Sequence, residues 1–498
     1  MNPTYIENLT YDEIKVGDKA TLVRTLQPSD IQLFAIMSGD VNPAHVDHEY
    51  AQSSLFREVI AHGMWGGALI STVLGTQFPG PGTLYVDQSL HFSRPVTLGD
   101  TITVTLTCRK KFEHNHHIVF DCQCTNQDGL KVITGSAEVL APTEKIRRAR
   151  MTLPEFRLSD RQARYDHLLA RTRGLARISM AVVHPCDGES LKGALMARDA
   201  GLISPTLVGP EGRLRQLADE IGASLHDCAI IDVPHSHAAA EVAVKMARNF
   251  EVEALMKGSL HTDELMEAVI DKEAGLRTHR RISHVFLMDV PTYPRPLLIT
   301  DAAVNVEPTL EEKVDIVQNA IDLARMIGIN EPKVAILAAV EMVNPKMRAT
   351  LDAAALCKMA DRGQITGGLL DGPLAFDNAV SIVAAKTKGI RSAVAGQADI
   401  LVVPDIESGN MLAKQLEYLA DALSAGIVLG ARVPIVLTSR ADSAESRTAS
   451  TALAVIMAHA KRKYRFIHHQ EHQVHQELQG QNLEVFIRGF CFSWCPWW

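Results

Sequence analysis

The hydrophobic pattern of this chain changes period partway along, and that change limits the available architectures more than any other feature. Between Ala20 and about Ala141 the segments TITVTLTCRKKF, HIVFDCQCTN and LKVITGSAEVL alternate apolar and polar residues, with a turn signal at Asn126 to Gly129. Alternation with period two describes strands with one buried face. Only Ser29 to Met37 and His62 to Leu74 read as helices there, so the spacing predicts an antiparallel sheet wrapped on one helix. From Ala176 onward the apolar runs ISMAVVH, SPTLVG, AIIDV, EALMKG, SHVFLMDV, KVAILAAV, ADILVVPD and VPIVLTS are nearly continuous. Segments such as LEEKVDIVQNAIDLARMIG, apolar at helical spacing, separate them. Continuous apolar strands between helices predict a parallel α/β sheet covered on both faces, with ligands beyond the carboxyl ends of the strands.

The stretch Pro142 to Arg173 lies between the two patterns, is rich in arginine and carries Pro154. It reads as a linker. The expected organisation is therefore an α+β domain over 1–141, a linker over 142–175, an α/β domain over 176–464 and an atypical tail over 465–498. At 498 residues the chain is too long for one core, which agrees with several domains. A net charge of -8 argues against a sequence-independent nucleic-acid binder. No run of 18 apolar residues and no basic-then-apolar leader pattern occurs, so a soluble cytoplasmic protein without a membrane span is expected. The eight cysteines show no Cys-x-x-Cys pairing, which points to reduced thiols rather than a zinc or disulfide framework. Neither G-x-G-x-x-G after a strand nor G-x-x-x-x-G-K-[ST] is present, which leaves a dinucleotide fold or a P-loop kinase without support.

Two constellations carry chemistry. In FAIMSGDVNPAHVDHEYAQ, Asp40 and His45 flank the Asn42-Pro43 turn, and both side chains could converge on one water. A histidine and a carboxylate suit deprotonation of a water that adds across a polarised double bond. His62-Gly63-Met64 opens an apolar helix whose first N–H groups could hold a thioester carbonyl. The residues alone equally allow Asp40 and Asn42 to cap a turn and His45 to sit on the surface. SGDVNPAHVD, followed by HGM and FSRPVTLGD, resembles the MaoC-like (R)-specific enoyl-CoA hydratases over residues 10 to 140. The resemblance implies a hot-dog fold, Asp40 and His45 as the catalytic dyad, Gly63 as oxyanion donor and Asn42 beside the substrate. Trp65 stands where relatives more often carry a smaller aliphatic residue.

The second constellation, VPIVLTSRADSAESRTASTALAVIMA, sets Ser439 and Arg440 between a buried-strand pattern and a helical one. An arginine fork matches two phosphate oxygens, and the following helix start adds N–H donors. A surface loop paired through Asp442 or Glu445 is the alternative. MKGSLHTDELMEAV, GLLDGPLAFDNAVS and GQADILVVPDIESGNMLAKQLEYL add to this run. Together they resemble the phosphate acetyl- and butyryltransferase family over about residues 175 to 464. The resemblance implies a two-lobed α/β/α fold that converts acyl-CoA and phosphate to acyl phosphate and coenzyme A, with no metal or bound cofactor. It makes Arg440 the phosphate ligand and Ser439 a donor to the developing charge. Ser446 stands where acetate-type relatives place a carboxylate, so the acidic neighbours are Asp442 and Glu445. Asp405, Ser408, Gly409 and Asn410 follow a strand and either line the cleft or cap a helix. Asn305 and Pro308 resemble cleft positions, with a turn as the alternative.

In the tail, His468, His472 and His475 fall at helical spacing, which a polar helix explains without a metal. The sequence as a whole predicts a fused enzyme with acyl-CoA and phosphate as its partners, acting as a homo-oligomer of two or more copies.

Overall fold

A computed structural model describes residues 5–151, 161–439 and 442–462. The chain divides into two compact units, Met1–Leu158 and Ser159–Trp498, each described separately below. The tail histidines and Arg440 lie outside the described residues.

The first unit contains β1 (Tyr5–Glu7), β2 (Lys19–Thr25), β3 (Leu84–Phe92), β4 (Thr101–Phe112), β5 (His117–Thr125), β6 (Lys131–Leu140) and β7 (Arg147–Ala149). Five of them form an antiparallel sheet in the order β2-β4-β5-β6-β3. Alternation does here what the sequence predicts: Ile102, Val104, Leu106 and Cys108 of β4 are buried while the intervening threonines are not. Helices α1 (Pro28–Ser38), α2 (Pro43–Val46), α3 (His48–Ser53) and α4 (Gly63–Thr76) connect β2 to β3. α4 buries Trp65, Gly66, Ile70, Val73 and Leu74 in the core shared with the sheet. Gly66 is small of necessity, because a Cβ there would overlap Ile133 of β6. This is the hot-dog arrangement, a sheet wrapped on one central helix.

The segment expected as a linker is divided between the units. β7 pairs with β1, and Asn8 bonds to Glu144 and Ile146, so the first unit continues past residue 141. A helix over Arg161–Ala170 belongs to the second unit, where Tyr165, Leu168 and Leu169 pack on its core.

The second unit contains β8 (Ile178–Val183), β9 (Ile203–Gly209), β10 (Ala229–Asp232), β11 (Ala254–Lys257), β12 (Ser283–Asp289), β13 (Leu297–Thr300), β14 (Lys333–Leu337), β15 (Leu369–Leu374), β16 (Ile400–Val402), β17 (Leu423–Leu429) and β18 (Ile435–Val436). They form one sheet, ordered β10-β9-β8-β11-β18-β17-β12-β13-β16-β14-β15. Parallel blocks occupy its two ends, β10-β9-β8-β11-β18 and β13-β16-β14-β15. The all-parallel expectation fails in the middle, where β17 and β12 run antiparallel to their neighbours. The connection from β12 to β13 is too short to hold a crossover helix, so the two strands must pair as a hairpin. The blocks are the two lobes: one apolar cluster, around Ile178 and Ile400, runs through both, while those around Ala181 and Met288 lie mainly in the first and the second block. Among the described residues no helix is long and apolar enough to cross a membrane.

Candidate active sites

In the first unit α1 ends at Gly39, whose left-handed backbone (φ 76°) turns the chain and lets its N–H bond Ala35. Asp40 follows, exposed, with Oδ1 accepting the N–H of Asn42 at 3.2 Å. Asn42 caps α2 by accepting from the N–H of Ala44, and Pro43 occupies the first helical position. Asn42 is therefore the cap that aims the next turn. One turn on, His45 Nδ1 lies 2.9 Å from the carbonyl of Ile60. A carbonyl only accepts, so Nδ1 carries the proton and Nε2 is left bare.

A second histidine completes the group. His62, the N-cap of α4, is buried, and its Nε2–H donates to the carbonyl of Asp40 at 3.0 Å. Its ring lies 4.1 Å from that of His45 and 4.8 Å from Phe34. Its Nδ1 is buried without a partner among the described residues. Asp40, His45 and His62 each bring one ligand-type atom within 4.8 Å of the others, and among the described residues this is the cluster that could hold a metal. Gly63 begins α4, where the first N–H groups have no intrahelical acceptor. Trp65 points into the core. Asp40, Asn42, His45 and Gly63 were expected here from the sequence, whereas His62 entered that reading only as the residue that opens the helix.

In the second unit β18 runs into a loop and then a helix over residues 444–462. The loop closes on itself: Asp442 accepts the N–H of Ser439 at 2.8 Å and returns its own N–H to the carbonyl of Ser439 at 3.2 Å. Asp442 is 4 % exposed, and its other oxygen faces Lys414 Nζ at 3.4 Å. Asp442, the acidic neighbour of Arg440, turns inward: one oxygen holds the Ser439 N–H and the other faces Lys414 of the helix Ile406–Leu419. Burial opposes the charge on Lys414, but the hydrogen bond it donates to Glu417 and the pull of Asp442 hold its amine above the usual value. Ser446 is buried and Glu445 exposed, so neither replaces Asp442 in the loop.

Arg447, which the sequence reading passed over, lies fully buried beneath this loop. Its guanidinium donates to Thr438 Oγ1 at 2.7 Å, to the carbonyl of Ser439 at 2.8 Å and to that of Lys257 at 3.4 Å. Gly193 leaves room for it, since a Cβ there would come 2.7 Å from Arg447 Cδ.

The helix Ile406–Leu419 brings the remaining expected residues together. Asp405 accepts the N–H of Ser408 at 2.8 Å, which makes the pair a helix cap. Gly409 sits against the backbone of Asp301 and Ala302, where a Cβ would come 2.7 Å from a carbonyl oxygen. Asn410 donates to Ala302 at 3.3 Å, and Lys414, one turn later, reaches Asp442. Of these four, Gly409 and Asn410 thus serve to seat the helix on the Asp301 turn.

That turn is itself wired to a cleft. Asp301 accepts from the N–H groups of Ala303, Val304 and Asn305, and Asn305 accepts from Arg281 Nε at 2.7 Å. Asn305 lines a cavity of about 790 Å³ together with Arg277, Arg280, Arg281, Met266 and Ile270. Pro308 contributes its carbonyl to Arg348. His284, fully buried between the turn and the Ser439 loop, is pushed below the usual imidazole range by burial, although Asp301 and Asp442 pull it upward.

Residues 234–455 match the phosphate acetyl/butaryl transferase family and residues 13–125 match the MaoC like domain. The phosphate acetyltransferase of Rhizobium meliloti is 60% identical over 300 residues, 60% of this chain and 95% of that protein. The phosphate butyryltransferase of Clostridium acetobutylicum is 42% identical over 294 residues, 59% of this chain and 98% of the relative. A crystal structure of a branched-chain phosphotransacylase from Enterococcus faecalis V583 is 30% identical, with TM-score 0.51, and covers 57% of this chain and 99% of its own.

Proposed function

This chain belongs to the phosphate acetyl/butaryl transferase family and carries a MaoC-like domain ahead of that region, and from this we propose a bifunctional enzyme of coenzyme A thioesters. Its second unit exchanges an acyl group between coenzyme A and phosphate. Its first unit adds water to an enoyl-CoA.

In the transfer, an oxygen of hydrogenphosphate attacks the thioester carbonyl, the C–S bond breaks and coenzyme A leaves as the thiol, taking up the proton that the phosphate gives up. Arg440 pairs with two phosphate oxygens and Ser439 donates a hydrogen bond to the oxygen that gains charge. The observation that carries this reading is the closed loop at the end of β18, in which Asp442 fixes Ser439 ahead of the helix over 444–462. Fixed donors need little reorganisation as charge develops. The cavity beside Arg277, Arg280 and Arg281 suits coenzyme A, with cations for its phosphates and Met266 and Ile270 for its apolar arm.

In the hydration, His45 Nε2 accepts a proton from water while the free oxygen of Asp40 holds that water. As the C=C π bond opens, the water oxygen bonds the β-carbon and the α-carbon takes up the proton that His45 removed, which leaves the histidine neutral again. The N–H of Gly63 steadies the thioester oxygen. Neither reaction changes oxidation state, so neither calls for a bound redox cofactor. The exposed edge strand β3, with Leu84, Tyr85, Val86 and Phe92 partly open to solvent, supports pairing with a second copy. Cytoplasm is the expected location of both reactions.

The deciding measurement is thiol release by the purified chain from acetyl-CoA and butyryl-CoA, with and without phosphate. Phosphate-dependent release that Arg440→Ala abolishes is expected. Release that ignores phosphate, or that survives this substitution, defeats the transacylase reading.

A further inference from the structure

Arg447 is a cation in an unusual position. Its side chain is fully buried, and among the described residues no carboxylate comes within ion-pair distance of it. Among the described residues its side chain donates three hydrogen bonds, all to neutral oxygens, and its Nε is buried without a partner. Burial drives its basicity down, with Asp187, Asp442 and Glu189 acting on it only through space. A buried charge without a contacting counterion is costly, and such a charge persists where something else balances it. Two of the three acceptors, Thr438 and Ser439, belong to the segment that opens the ligand loop.

Resting on the transacylase reading above, we propose that Arg447 is a positioning residue for phosphate, a fixed cation under the Ser439 loop whose charge a phosphate dianion bound over that loop completes. It acts in two ways. The fork holds the carbonyl of Ser439 and the hydroxyl of Thr438, which sets the direction of the Ser439 side chain. Its positive charge, little screened at this depth, adds to the potential that draws an anion to the loop. It touches no reacting atom, so its influence falls on phosphate more than on coenzyme A.

The test uses the full chain and inorganic phosphate. Arg447→Met should raise KM for phosphate by roughly ten-fold or more, the scale of a lost charge-assisted contact, and leave KM for acetyl-CoA nearly unchanged. Arg447→Lys, which keeps the charge without the fork, should recover part of that loss. Phosphate should raise the melting temperature of the native chain and raise that of Arg447→Met much less. If Arg447→Met does not fold, Thr438→Val removes one anchor of the fork and should move KM for phosphate in the same direction. Equal changes in both KM values, or an undiminished phosphate effect on melting, would overturn the proposal. Absence of phosphate-dependent turnover in the native chain would instead defeat the reading of the loop, so the two failures are distinguishable.

Discussion

A histidine acts as a base only on the nitrogen that its fold leaves bare, and in the first unit backbone carbonyls make that choice. Ile60 takes the Nδ1 proton of His45, and Asp40, through its own carbonyl, takes the Nε2 proton of His62. Asp40→Asn should therefore slow hydration of crotonyl-CoA by about 10² to 10⁴-fold, followed as loss of enoyl absorbance, with the fold intact by circular dichroism. In the second unit Ser439→Ala should lower phosphate-dependent thiol release by about 10² to 10³-fold, the cost of one oxyanion donor. Asp40, His45 and Ser439 stand out in the sequence because each lies within a few residues of a turn or helix start, whereas Arg440 lies outside the described residues. The place of His62 depends on Asp40, 22 positions away, and Arg447, although Thr438 and Ser439 are near it in sequence, is buried beneath them only by packing on Gly193 and Lys257.

Elements were read best where one face alone is buried. The helix Leu310–Met326 starts with a capping box in which Thr309 Oγ1 accepts the N–H of Glu312 and Glu312 accepts the N–H of Thr309. Thr309→Ala should cost about 1 kcal/mol, measured by chemical denaturation. The backbone N–H of Thr309 holds the Glu312 carboxyl below its usual range. A depressed carboxylate stabilises the fold above the ordinary value near 4.5 and loses that contribution as pH falls through its lowered value. Glu312→Gln should accordingly flatten the stability profile in that acidic window. Strands β13, β15 and β17 went unread as strands: β13 follows Pro294 and Pro296, β15 contains Gly372 and Pro373, and β17 begins LSAG, so turn-forming and small residues masked their pattern.

At the scale of the molecule, the two proposed chemistries occupy different units. Asp40→Asn should leave phosphate-dependent thiol release unchanged, and Ser439→Ala should leave hydration unchanged. Joint loss in either variant would refute the assignment of one chemistry to each unit. His284 links stability to pH. Both of its ring nitrogens are buried without a hydrogen-bond partner among the described residues, and burial lowers its proton affinity. Below about 6.5 the unfolded chain binds a proton at this histidine more readily than the folded chain does. Stability is therefore retained above that value and falls as pH drops beneath it. Denaturation at pH 7.5 and 5.5 should show the loss, and His284→Leu should reduce it. Local periodicity was enough to establish a one-faced antiparallel sheet and an α/β sheet and to mark the loops around Asp40 and Ser439, because neighbours within a turn or a strand follow from spacing. The antiparallel centre of the large sheet, the inward turn of Asp442 and the burial of Arg447 against Gly193 depend on contacts between distant segments, which exist only once the chain has packed.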